Sequence, residues 1–85
     1  MTYQDIIEKV NNFLIEDFEV EESKLKIDAS LNETLDLDSL DYIDLIVAIE
    51  ENFGFKMKPE DFTNMVIIQD FYNYIAERLE ISIPA

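Results

Sequence analysis

The sequence predicts an all-α protein, namely a small four-helix bundle with three longer helices, one short helix and a long loop between the first two helices. Three segments carry apolar residues at helical spacing, and no segment is a good candidate for a strand. The chain has 85 residues, which is enough for one modest hydrophobic core. We therefore expect a single domain over residues 1–85, held together by helix packing.

The first helix is expected from Tyr3 to about Glu16. Thr2, followed by Asp5 three residues later, is a start signal for this helix. Its apolar residues form a one-sided stripe, which indicates one buried face and one exposed face. This stripe comprises Tyr3, Ile6, Ile7, Val10, Phe13 and Leu14.

From Asp17 to Asp38 the helical periodicity weakens and turn-forming residues recur. A loop of this length in so short a chain usually has a function or is anchored to the core. A short helical turn is expected near residues 21–25. Five apolar side chains are expected to attach the loop to the core: Leu25, Ile27, Leu31, Leu35 and Leu37.

The central helix is expected from about Ser39 to Phe53. At about 100° per residue it carries two apolar stripes on different sides. If the first stripe faces the core, the second stripe is an exposed apolar strip among carboxylates and resembles a docking surface. The alternative is that both stripes are buried. The first stripe is Tyr42, Leu45, Ile46, Ile49 and Phe53, and the second is Leu40, Ile43 and Val47, with Asp44, Glu50 and Glu51 on the same side and Asp41 just beyond.

Gly54 is a good C-terminal stop for the central helix. Residues 59–62 begin with a proline and continue with two acidic residues, which predicts a short helix. The last helix is expected from about Ile67 to Glu80, and Pro84 cannot continue it. Its buried residues are expected to be Ile68, Phe71, Tyr72, Ile75 and Leu79.

The composition excludes several classes of function. The formal net charge is −14, from 20 acidic and 6 basic residues, so the chain is not expected to bind nucleic acid, and basic partners are favoured. The absence of cysteine and histidine removes disulfides, thiolate metal sites and the commonest general base, and the protein is not expected to be an enzyme. Without a long apolar run, we expect no membrane span or secretory signal. Our default expectation is a monomer in the cytoplasm.

Ser39 is the candidate functional residue. Asp38 is a good N-cap, and Asp41 three residues later resembles a shortened capping box. Ser39 would then be the first helical residue, with its hydroxyl accessible and close to the positive end of the helix dipole. An attached phosphodiester fits this position, although Asp38 and Asp41 would repel a free anion. The alternative is that Asp-Ser is only a helix cap.

A calcium site is the competing interpretation of the crowded carboxylates. An EF-hand loop starting at Asp36 would need a ligand at Leu40, a glycine at Asp41 and a glutamate at Val47, and the sequence has none of these. We therefore expect no dedicated metal site.

Residues 35–61 closely resemble the acyl carrier proteins of fatty-acid and polyketide synthesis. The family motif Asp-Ser-Leu, often followed by a further Asp, is matched by residues 38–41. The Ile43-Asp44-Leu45 pattern and residues 48–53 continue the match, and the length, acidic balance and long first loop extend it to essentially the whole chain.

This resemblance implies a 4′-phosphopantetheine arm on Ser39, installed from coenzyme A by a Mg²⁺-dependent phosphopantetheinyl transferase (holo-acyl-carrier-protein synthase). The thiol of the arm would hold acyl groups as thioesters. Partner enzymes with basic surfaces would contact the carboxylates and apolar strip of the central helix, namely Asp38, Leu40, Asp41, Ile43, Asp44, Val47, Glu50 and Glu51. The acyl chain can fold back between the helices in this family, and the candidate lining is Ile46, Ile49, Phe53, Met65, Ile68 and Phe71.

The sequence departs from the family pattern at three places. Asp36 stands where many members have glycine, and the last helix lacks an initial hydroxyl residue, with Asn64 the nearest capping side chain. Lys56 and Lys58 interrupt the acidic run. Two alternatives to an acyl carrier stay open at this point: a peptidyl or D-alanyl carrier with the same serine chemistry, and an acidic interaction module without an arm.

Overall fold

Four α-helices and two 3₁₀ helices follow one another in the computed structural model, which describes residues 1–83. The predicted helical bundle is confirmed, and α1 extends to Phe18, beyond the expected end near Glu16. The sequence-based statement about Pro84 lies outside the described residues. The α-helices are α1 (Tyr3–Phe18), α2 (Leu31–Leu35), α3 (Ser39–Phe53) and α4 (Ile68–Arg78), and the 3₁₀ helices are Glu22–Lys24 and Pro59–Asn64.

Helix α1 begins at the capping signal that the sequence predicts. The Oγ1 atom of Thr2 accepts a hydrogen bond from the backbone N–H of Asp5 at 3.3 Å. The Asp5 carboxylate in turn accepts from the backbone N–H of Thr2 at 2.9 Å. This reciprocal pair satisfies two N–H groups that would otherwise have no partner at the helix end.

The core lies where α1 packs against α3 and α4. Two hydrogen bonds of 2.6 Å join α1 to α4, because the hydroxyl of Tyr72 donates to Asn11 Oδ1 and that of Tyr3 donates to Asn73 Oδ1. Burial of these aromatic side chains therefore leaves their hydroxyl groups satisfied. The residues with no exposed surface are Ile6, Val10, Leu14, Leu31, Leu45, Ile49, Ile68, Phe71, Ile75 and Ala76.

The long loop is attached to the start of α4 by backbone hydrogen bonds, an arrangement that we call the clasp. Ser30 and Ile67 form an isolated antiparallel bridge at its centre, although no strand occurs among residues 1–83. Because loop carbonyls accept from the first N–H groups of α4, they replace a side-chain cap there. The three bonds run from Leu31 N to Val66 O, from Ile68 N to Ala29 O and from Gln69 N to Ile27 O, each 2.9 Å long.

The loop contains one helix, α2, that the sequence did not predict, whereas the expected turn near residues 21–25 is confirmed as a 3₁₀ helix. Leu31 and Leu35 are buried, and Leu25 and Leu37 pack against the core half-buried, as expected. The expectation for Ile27 was wrong, since its side chain is 51% exposed. Its backbone carbonyl makes the attachment instead.

The start of α4 also differs from expectation. Asn64 does not cap this helix; the Asp70 carboxylate accepts from the backbone N–H groups of Val66 at 2.9 Å and Ile67 at 3.1 Å. The helix ends at Arg78, before the expected end at Glu80. Its predicted buried face is confirmed, with Leu79 lying half-buried just beyond the last helical residue, at the edge of the core.

Candidate functional site

The site begins at the first turn of α3. The Asp38 carboxylate accepts a hydrogen bond from the backbone N–H of Asp41 at 2.9 Å, and the Asp38 carbonyl accepts from the N–H of Tyr42 at 3.1 Å. The predicted N-cap is therefore confirmed. Ser39 is the first residue of the helix and is exposed. Its hydroxyl lies at the positive end of the helix dipole, where an attached phosphate is stabilised.

The residue in front of this site, Asp36, has a left-handed backbone conformation. It ends α2 with φ 46° and ψ 47°, and its N–H donates to the carbonyl of Asn32. Left-handed geometry favours glycine, and Asp tolerates it better than most other side chains. Asp36 therefore adopts a conformation that glycine would also allow, and it adds a negative charge near Ser39.

The second stripe of α3 is exposed, and the alternative in which both stripes are buried was wrong. Leu40 is 73% exposed, Ile43 48% and Val47 46%. Around these three side chains, Asp44, Glu50 and Glu51 are exposed, as is Asp38 at the helix start, and Asp41 is half-buried. Seven of the eight predicted partner-binding residues are thus exposed, and the eighth, Asp41, is half-buried.

The first stripe of α3 faces the core. Leu45, Ile49 and Phe53 are buried, while Tyr42 and Ile46 are half-buried and pack against the core. Gly54 ends the helix with φ 80°, which glycine adopts without strain. The predicted orientation of this helix, with one apolar side buried and one exposed, is therefore confirmed.

A surface cleft of about 300 Å³ lies directly beside Ser39. The Tyr42 hydroxyl donates to Asn32 Oδ1 across it at 3.1 Å. Burial raises the pKa of Tyr42 above its usual value, so the hydroxyl stays protonated at neutral pH and keeps this bond. The sequence analysis did not identify the cleft. It is lined by Asn32, Ser39, Tyr42, Pro59, Phe62 and Thr63.

None of the six predicted acyl-lining residues lines this cleft. Ile49, Ile68 and Phe71 have no exposed surface, Phe53 is buried and Ile46 is half-buried in the same core. Met65 is buried and contributes to a different, polar cleft with Asp61, Asn64, Asp70, Asn73, Tyr74 and Glu77. Their role in holding an acyl chain stays a prediction.

Two further observations limit what residues 1–83 contain. No helix in this part of the chain combines the length and the apolar character that crossing a bilayer requires. Over the same residues, no three acidic side chains converge in a way that could hold a metal ion.

Comparison with known proteins defines the class of protein first. The model of the family described as "Phosphopantetheine attachment site" matches residues 8–75, a range that includes the whole of α3 and both walls of the cleft. An exposed serine at a helix N-terminus, with room beside it, fits the attachment of such an arm.

A curated relative then gives the particular family. The chain is 32% identical over 81 residues to the acyl carrier protein of Petrotoga mobilis (strain DSM 10674 / SJ95), and the match covers 95% of both chains. With the family model matching most of its length, the chain belongs to the acyl carrier proteins, which hold a phosphopantetheine arm and act as carriers rather than catalysts.

Proposed function

We propose that the protein carries acyl intermediates as thioesters on 4′-phosphopantetheine attached to Ser39, and passes them between enzymes of fatty-acid or related polyketide-like synthesis. The observation that carries this proposal is the position of Ser39, exposed in the first turn of α3 within the Asp-Ser-Leu motif. When bound, the arm supplies the thiol that this cysteine-free chain lacks.

The chain's own contribution to attachment is a well-placed hydroxyl. The Asp38 cap fixes the start of α3, and the unpaired N–H groups of the first turn stabilise the phosphodiester that replaces the hydroxyl proton. The neighbouring carboxylates repel the incoming phosphate, and the chain has no histidine to serve as a base. Activation of Ser39 and the Mg²⁺ that neutralises the phosphate therefore belong to the transferase.

The exposed strip of α3 supports a role in docking partner enzymes. Leu40, Ile43 and Val47 offer apolar contact, and the carboxylates around them offer negative charge to lysines and arginines. Charge pairs at the rim of an interface accelerate association and are sensitive to salt, which suits partners that are met and released repeatedly. The net charge of −14 extends this attraction beyond the immediate contact.

The name of the relative favours an acyl cargo over an amino acid or a peptide. The cytoplasmic location and the monomeric state stay predictions, together with the choice between primary and specialised synthesis.

The test is enzymatic loading followed by intact mass measurement. The apo-protein is incubated with coenzyme A, Mg²⁺ and a broad-specificity phosphopantetheinyl transferase. We expect a mass gain of one phosphopantetheine for the native chain and none for Ser39→Ala. Ser23→Ala is the matched control, since Ser23 is also exposed but lies in the loop before α2, and it should load normally.

Two results would contradict the proposal. Loading of the Ser39→Ala variant would place the arm elsewhere, and failure of the native chain with several transferases would refute the carrier function. Equal loading of native and Ser23→Ala proteins excludes a general effect of removing a hydroxyl.

A further inference from the structure

Three aromatic rings form a continuous wall between the cleft and the core, and we call this the aromatic wall. The ring of Tyr42 lies 5.0 Å from that of Phe62, and Phe62 lies 5.8 Å from Phe71, measured between ring centroids. Tyr42 and Phe62 line the cleft, whereas Phe71 has no exposed surface. A group entering from the Ser39 side therefore meets Tyr42 and Phe62 before it reaches Phe71.

The wall and the core that it adjoins are filled by the protein's own side chains. Phe62 is 7% exposed, and Ile49, Ile68 and Phe71 are 0% exposed. Protein interiors are close-packed, so an acyl chain could enter only by displacing these side chains from their contacts. Aromatic rings fill more volume than aliphatic side chains and are more costly to move aside.

The cleft in front of the wall is small and partly polar. Its volume of about 300 Å³ is at the lower end of the range for small-molecule sites. The Asn32 amide and the Thr63 hydroxyl lie around its apolar floor, beside the Ser39 oxygen that would carry the arm. These groups suit a short acyl group, or one with polar substituents, better than a long hydrocarbon chain.

We propose that the aromatic wall keeps the cargo outside the helix bundle, so that this carrier shelters short acyl groups in the cleft and leaves longer chains exposed to solvent and to partner enzymes. The inference rests on the proposed function, since it concerns an acyl group on an arm at Ser39. It departs from the predicted lining by Ile46, Ile49, Phe53, Met65, Ile68 and Phe71.

The expected effect follows from the energy of burying methylene groups. Each buried methylene multiplies the equilibrium constant for sequestration by about fourfold. Sequestering a dodecanoyl chain should thus slow attack on its thioester at least about tenfold, even when burial is partial. If longer chains stay outside the bundle, the octanoyl and dodecanoyl thioesters should be cleaved at similar rates, and the butyryl thioester sheltered in the cleft should be cleaved more slowly than both.

The experiment measures cleavage of the thioester by hydroxylamine. The transferase loads the full-length protein with acetyl-, butyryl-, octanoyl- or dodecanoyl-phosphopantetheine from the corresponding coenzyme A ester. Intact mass confirms loading before the assay, and mass spectrometry then follows loss of each acyl group. We expect rates within about threefold of one another for the octanoyl and dodecanoyl forms of the native protein.

Three variants test whether the aromatic wall keeps the dodecanoyl chain outside the bundle. Phe62→Ala opens the wall and should slow cleavage of the dodecanoyl form by at least about tenfold. Phe62→Leu is a milder opening that keeps the bundle folded if the alanine variant does not, and it should act in the same direction. Phe55→Ala is the control for truncating an aromatic residue away from the cleft, since Phe55 packs against Phe53 and Tyr74.

Each outcome decides the proposal. Slow cleavage of the dodecanoyl form in the native protein, relative to butyryl, would overturn it by showing that long chains are already sheltered. Cleavage of the dodecanoyl form at the native rate in both folded Phe62 variants would overturn the role of the wall. Failure of the native protein to load at all would refute the proposed function instead, and the inference with it.

Discussion

Replacement of Asp38 tests whether the capping bond holds the start of α3 and, with it, the position of Ser39. The carboxylate accepts from the backbone N–H of Asp41 at 2.9 Å. Alanine removes this acceptor, whereas asparagine keeps a side-chain oxygen in the same place. Both variants remove one negative charge, so the comparison between them isolates the bond.

The expected magnitude is that of an N-cap. Loss of a capping side chain to alanine costs about 1 kcal/mol, while Asp and Asn cap about equally well. Asp38→Asn loses a favourable interaction with the helix dipole but relieves repulsion from nearby Asp36 and Asp41. Its free energy of unfolding should therefore stay close to that of the native protein. We therefore expect Asp38→Ala to be about 1 kcal/mol less stable than Asp38→Asn, which for a domain of this size lowers Tm by about 4–8 °C.

The assay is urea denaturation of the three proteins at one ionic strength, followed by circular dichroism, with transferase loading measured in parallel. Loading should be slower for Asp38→Ala than for Asp38→Asn, because only asparagine keeps Ser39 in the first turn. Equal stabilities of the two variants would refute the reasoning, since the bond would then contribute nothing. Equal loading rates well below the native rate would show that the charge matters to the transferase and the cap does not.

Two further predictions concern Asp36 and Tyr72. Because Asp36 has φ 46°, Asp36→Gly should be about 1 kcal/mol more stable than Asp36→Ala, as measured by denaturation; equal stabilities would exclude strain at this turn. Burial raises the pKa of Tyr72 to about 12, compared with about 10 in the unfolded chain. Stability on the order of 3 kcal/mol is therefore present below about pH 10 and is lost as the pH rises through about 12. Tyr72→Phe loses the hydrogen bond to Asn11, worth about 1 kcal/mol, but its side chain does not ionise. The native protein should therefore be the more stable of the two at about pH 8 and the less stable above about pH 11. A stability difference that does not depend on pH would contradict this.

The long helices and the start of the site could be predicted from the sequence because their signals are local. A stripe repeated over four turns identifies α1, and the pair Thr2 and Asp5 sets its first residue. Asp38 before an amphipathic segment identifies the start of α3 in the same way. Exposure of the second stripe was predictable from the carboxylates interleaved with it.

Features that depend on distant parts of the chain were missed. Helix α2 has five residues, too few for a periodic stripe, although Ser30 followed by Glu33 was a usable capping signal and forms the bond at 3.5 Å. The cleft joins α2, α3 and the second 3₁₀ helix, and nothing local indicates that Asn32 and Thr63 line the same cleft. The exposed side chain of Ile27 has the same origin, since its carbonyl is fixed by a partner beyond α3.

The clasp has a consequence for how the chain folds. It pairs the segment before α3 with the segment after it, so the whole of α3, with Ser39 at its start, lies inside a closed loop of chain. Closing such a loop costs entropy before any contact compensates it, which places the clasp among the slow, non-local steps of folding. A chain that ends before Val66 can form α1 and α3 but lacks Val66, Ile68 and Gln69, the three partners that the clasp needs to fix the loop. Only a chain synthesised beyond the start of α4 therefore offers the finished surface to a modifying enzyme.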